Sequence, residues 1–153
     1  MQKEKLRSFD IILAEISFLV HATEDKDRVL NLVSLALTID KDKFKATDLL
    51  GHWGNEIEMI KVSLEGKLSR YVANTVLTSL DTYDRKKMLY SLSDYVDDKG
   101  TLHLRLDKQK ICEGKFELSQ VDSIKVKFKP KLFFSRVKED YIQEYRRLLS
   151  SND

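Results

Sequence analysis

Ala14-Glu15-Ile16-Ser17-Phe18-Leu19-Val20-His21 alternates without a break, with apolar Ile16, Phe18 and Val20 on one side and Glu15, Ser17, Leu19 and His21 on the other. A period of two is what a half-buried strand requires, because successive side chains leave the backbone on opposite faces. The period then changes at once. Thr23, Glu24 and Asp25 offer a hydroxyl cap and first-turn acids, and Val29, Leu32, Val33 and Ala36 recur at helical spacing, which predicts a helix of about 13 residues. A strand handing over to an amphipathic helix is the opening of a fold that packs helices on a sheet.

Working outward, Phe44 to Leu50 and Glu56 to Leu64 read as strands joined by Gly51-His52-Trp53-Gly54-Asn55. The glycines and Asn55 suit a hairpin connection that needs positive φ, whereas His52 and Trp53 are not demanded by turn geometry. After Gly66, the stripe Leu68, Tyr71, Val72, Val76 and Leu80 predicts a helix, and Asp81-Thr82 caps another bearing Met88, Leu89, Leu92 and Val96. Beyond the turn Asp97-Asp98-Lys99-Gly100, Leu102, Leu104 and Leu106 alternate with His103, Arg105 and Asp107. Lys108 to Lys115 reads as irregular or briefly helical, and Phe116-Glu117-Leu118 as a short pairing segment. Ile124, Val126 and Phe128 then alternate with Lys125, Lys127 and Lys129 until Pro130 stops the strand. Ser135 caps a final helix carrying Val137, Tyr141, Tyr145 and Leu148. The expected order is β-α-β-β-α-α-β-β-α, an α+β fold with a single mixed or antiparallel sheet and helices on one face. One domain is expected over residues 1–153, its core spanning 14–130 and a C-terminal helix 131–153.

Composition narrows the functional classes. With 153 residues, 42% of them hydrophobic, the chain can bury a core of its own. Cys112 has no partner for an internal disulfide, so a reducing, cytoplasmic setting is expected. Lys3, Lys5 and Arg7 precede Ile11-Ile12-Leu13-Ala14 as in a signal peptide, but Asp10 and Glu15 break the apolar run. No stretch approaches the roughly 18 apolar residues of a membrane span, so no membrane partner is expected. His21, His52 and His103 fall in three different elements and the lone cysteine lacks a CxxC partner, which argues against a metal site. Asp94, Asp97 and Asp98 read as a helix end and acidic turn, lacking the alternate acids of a calcium loop. No phosphate loop, nucleophile elbow or HExxH motif occurs, so neither catalysis nor a cofactor is expected.

The charge distribution says more than the net charge of +2. Residues 1–98 hold 14 Lys and Arg against 17 Asp and Glu, whereas residues 99–131 hold 9 against 4, so the basic excess is local. Lys125, Lys127 and Lys129 project to one side of their strand, as His103 and Arg105 do on theirs; if the strands are neighbours, one sheet face is a basic plate. Alternating lysines also keep an exposed strand soluble. Lys108, Gln109, Lys110 and Lys115 nonetheless extend the basic region, and Trp53 and His52 sit on a tip, a combination suited to phosphates and unstacked bases. The expectation is a noncatalytic protein whose partner is RNA. The alternative is an interaction module, with Tyr141 and Tyr145 of the final helix mediating homodimerisation or docking.

Three motifs taken together, His21-Ala22-Thr23-Glu24-Asp25, Gly51-His52-Trp53-Gly54-Asn55 and Leu104-Arg105-Leu106-Asp107-Lys108-Gln109, resemble those of an archaeal family of RNA-binding proteins and predicted exosome-associated subunits. The resemblance covers about residues 14 to 130. It implies a ribosomal protein L five-like fold, RNA binding and an exosome or other RNA-processing partner. Lys110-Ile111-Cys112 and Glu56 depart from the family's small residues and proline at those places, which touches loop shape. If the first, second and fourth strands run the same way, the three motifs meet on one rim. His21, His52, Trp53, Arg105, Lys108 and Gln109 are then expected to form one RNA-binding site beside Lys125, Lys127 and Lys129.

Overall fold

The computed structural model of the protein describes residues 10–50, 54, 56–131 and 137–150. Five strands form one sheet in the order β2-β3-β1-β5-β4, and all four ladders are antiparallel. The strands are β1 (Ile11–His21), β2 (Lys45–Leu50), β3 (Glu56–Glu65), β4 (Leu102–Asp107) and β5 (Ser123–Pro130). Between and after them come helices α1 (Lys26–Leu37), α2 (Gly66–Ser79), α3 (Thr82–Tyr90), α4 (Lys108–Cys112) and α5 (Lys138–Ser150), with single 3-10 turns at Lys41–Lys43 and Leu92–Asp94. The α+β order matches the sequence reading; α4 is the brief helical piece expected after Asp107.

Period-two alternation sorts the sheet into two faces. Ala14, Ile16, Phe18 and Val20 of β1 join Ile60, Val62 and Leu64, Leu102, Leu104 and Leu106, and Ile124, Val126 and Phe128 in a buried layer. The helices cover this layer, α2 crossing β1 and β3 and supplying Val72, Val76 and Leu77. The opposite face is left open to solvent. Local capping follows the sequence with one shift: α1 is capped by the Asp25 carboxylate, which accepts from the Arg28 N–H, and not by the Thr23 hydroxyl. Asp81 caps α3 by accepting from the Asp84 N–H, and Asp107 caps α4 by accepting from the Lys110 N–H.

The final helix departs from the expectation of a docking surface. Tyr141, Ile142, Tyr145 and Leu149 are buried in the common core, and the Tyr145 hydroxyl donates to the Gly100 carbonyl at 2.7 Å. An amphipathic stripe reads the same whether it faces a partner or its own fold, and here it faces its own fold. Ser135 lies outside the described residues, and Val137 is exposed ahead of the helix.

The two sheet edges differ. Beside β4, residues 95–119 close the edge: the His103 N–H donates to the Tyr95 carbonyl, the Asp107 N–H to Glu117 and the Ser119 N–H to Arg105. At the other end β2 pairs, among the described residues, with β3 alone. An edge-to-face contact between the Phe18 and Phe44 rings, centroids 6.3 Å apart, anchors the chain where it enters β2.

Candidate nucleic-acid interface

Strand direction decides where the motifs fall. Both β2 and β4 lie an even number of antiparallel steps from β1, so β1, β2 and β4 run the same way and end on one rim. That rim spans four strand spacings from β2 to β4, about 19 Å. His52 and Trp53 lie outside the described residues, as do Gly51 and Asn55.

On the open face the register builds rows from separate strands. Lys45 stands opposite Lys61, Lys61 opposite Ser17, Ser17 opposite Lys125, and Lys125 opposite Arg105. One continuous row therefore crosses all five strands with four cations and a serine. The next row places Ser63, Glu15, Lys127 and His103 side by side. Like charges directly opposite one another destabilise a sheet. A strand needing only solubility gains nothing from the Lys45–Lys61 and Lys125–Arg105 pairs.

Arg105, Lys125 and Lys127 are exposed, and among the described residues no carboxylate forms an ion pair with any of them. Lys129 is half-buried and lies 3.6 Å from the Glu15 carboxylate, which offsets its charge. His103 Nε2 lies 2.9 Å from Asp97. Burial pushes the Asp97 carboxyl up, but His103 and the Thr101 and Lys99 N–H groups outweigh it and hold the group below its ordinary value.

Lys108 corrects the expectation of a surface cation. Its side chain is 0% exposed, with the ammonium donating to the Leu19 carbonyl at 2.8 Å and to Glu24 at 2.7 Å, and lying 3.0 Å from Asp122. A long aliphatic stem lets a strand-end lysine dive under the rim, and two acids compensate the buried charge. Glu24 also accepts from the His21 N–H at 3.0 Å, so it ties the end of β1 to the start of α4. Burial raises the Glu24 carboxyl, but the His21 N–H and the Lys108 ammonium prevail and hold it low. His21 is exposed on the rim, 3.6 Å from the same Asp122 oxygen that meets Lys108. Gln109 is exposed on α4.

Three of the expected residues meet. His21, Arg105 and Lys125 line one depression of about 360 Å³ on the open face, together with Leu19, Met59 and Asp122. Sequence reasoning missed Lys45, Lys61, Glu24 and Asp122. The lysines carry no signal without register, and Glu24 reads as an ordinary first-turn acid. Among the described residues no group of three or more His, Cys, Asp or Glu side chains is arranged to hold a metal, and burial pushes the Cys112 thiol up, away from thiolate reactivity. No helix among the described residues is long and apolar enough to cross a membrane.

An α+β sheet with one helix-covered face and one cation-lined face finds its class by comparison. The sequence model of a family described as RNA binding matches residues 14–130, and the chain belongs to that family. It is 29% identical over 155 residues to the RNA-binding protein PAB1135 of Pyrococcus abyssi, covering 97% of this chain and 98% of that one. It is also 29% identical over 137 residues to the uncharacterized protein MJ0213 of Methanocaldococcus jannaschii, covering 85% and 91%. Among solved structures, Mth689, a DUF54 protein from Methanothermobacter thermautotrophicus, superposes with a TM-score of 0.74 at 26% identity, covering 92% of this chain and 99% of that one.

Proposed function

We propose that the protein is a noncatalytic RNA-binding domain that holds single-stranded RNA across the open face of its sheet. The observation that carries this reading is the row Lys45-Lys61-Ser17-Lys125-Arg105, in which like charges are held opposite one another at a cost to the fold. A polyanion removes that repulsion by sitting on it. Arg105, Lys125 and Lys127 hold phosphates, Lys129 contributes after exchanging Glu15 for RNA, and His21 and Gln109 flank the strand at the rim. Lys108 acts from beneath by fixing the rim's shape. His52 and Trp53, in the β2–β3 connection, add an edge or stacking contact to an unpaired base. Family membership and the name of the Pyrococcus abyssi relative support RNA as the partner. A kinship with the ribosomal protein L five-like fold and an exosome or related RNA-processing assembly as partner belong to the same proposal, on the strength of the three motifs, and a cytoplasmic setting on that of the lone Cys112.

The test is fluorescence anisotropy with a labelled single-stranded RNA over a salt series. Four or five phosphate contacts give a log–log slope of about −3. A flat salt response overturns the reading. A second reading, in which two copies pair, is favoured by the edge of β2, which among the described residues pairs with β3 alone. It requires a dimer by light scattering that Leu49→Pro returns to monomer.

A further inference from the structure

Phosphate binding explains the cations of the open face but not the apolar ground between them. Leu19 of β1 stands directly opposite Met59 of β3, both half-buried, and together they floor the depression of about 360 Å³. That volume falls within the range of small-ligand sites, which are apolar hollows with a few placed polar groups. Arg105 and Lys125 stand on one side, and Gln120, Asp122 and His21 line the same hollow. Phe18 also borders the hollow, though it is buried with the core face of β1.

Asp122 is held in place unusually well for a loop residue. Its backbone is left-handed at φ 45°, a conformation few residues besides glycine, asparagine and aspartate adopt readily. One carboxylate oxygen is fixed by Lys108 at 3.0 Å with His21 at 3.6 Å; the other has no partner among the described residues. A fixed acceptor beside an apolar floor, under a cationic rim, has the parts needed to receive one base.

We infer that this hollow takes a single unstacked nucleobase of the bound RNA and reads its edge. The base lies on Leu19 and Met59 with the Arg105 guanidinium stacked against it, its flanking phosphates sit on Lys125 and Arg105, and Asp122 and Gln120 meet its edge. A carboxylate only accepts, so it selects an exocyclic amino group. Cytosine, adenine and guanine, which all carry such a group, are favoured over uracil, and paired bases are shut out. This inference rests on the reading of the open face as an RNA surface.

The experiment compares labelled octamers of cytidine, adenosine and uridine with an abasic ribose-phosphate octamer, each titrated at one salt concentration. The expected result is that cytidine and adenosine octamers bind about tenfold more tightly than the uridine octamer, and the abasic strand more weakly still. Asp122→Asn, which exchanges an acceptor for an amide with both roles, should shrink or invert the preference among the three base-bearing strands. Because Asp122 also faces Lys108, Gln120→Ala supplies a second, exposed variant that should reduce the preference without altering the salt slope. Failure of every strand to bind removes the RNA surface itself. Equal binding of all four strands, or a preference untouched by both variants, overturns the pocket and leaves the surface standing.

Discussion

Replacing Lys108 by methionine tests the physical account of the rim most directly. The substitution keeps the aliphatic stem and removes the ammonium, so Glu24, Asp122 and the Leu19 carbonyl lose their common donor. Breaking a buried pair by removing one partner costs about 3–5 kcal/mol. Glu24 and Asp122 keep 17% and 37% exposure, so water can reclaim part of the abandoned charge, which places the loss near the bottom of that range, about 3 kcal/mol. At roughly 2–4 °C per kcal/mol for a chain of this size, the melting temperature should fall by about 6–12 °C. Differential scanning calorimetry at neutral pH measures this. Adding Glu24→Gln should recover about 1 kcal/mol or more in a double-mutant cycle, since the two groups touch. A Lys108→Met protein melting within a degree or so of the parent would mean that the cluster is dispensable and that Lys108 is no strut.

Further expectations follow from other parts of the molecule. Arg105→Glu with Lys125→Glu should abolish RNA binding by anisotropy while circular dichroism and melting stay near the parent, because one like-charge pair replaces another across β4 and β5. Glu24 and Asp97 are held below their ordinary values of 4.5 and 3.8. In the acid window the unfolded chain binds more protons at these groups, so their stabilisation is present above about pH 4.5 and is lost as pH falls through the depressed values. Urea midpoints measured from pH 7 to pH 2.5 should trace that loss, and Asp97→Asn should flatten part of it. Gly100 combines φ 84° with a Cβ position only 2.5 Å from the Tyr141 ring, so Gly100→Ala should cost about 2–4 kcal/mol by denaturant titration.

The fold was legible because β4 and β5 keep apolar residues strictly on one side and β1 does so but for Leu19 over residues 14–21, a signal no helix mimics. The shared rim was legible once strand directions were assumed, and the assumption holds. The depth of a side chain was not. Lys108 sits in a run that reads as solvated, and one acid that buries it lies 84 residues away in sequence. The basic row was half legible: Lys125 and Arg105 stand on clearly alternating strands, but Lys45 and Lys61 join them only through cross-strand register, which sequence spacing does not carry. For the same reason, the stripe on the last helix did not reveal which surface it meets.

That last helix lies beyond residues 14–130, the span of the family's sequence model, yet Tyr145 and Leu149 are fully enclosed and the Tyr145 hydroxyl latches the turn before β4. The span of that model and the span that the core requires are therefore not the same length. A chain cut at Pro130 would lose its plug, and the silence of such a fragment toward RNA would report an emptied interior rather than a missing contact.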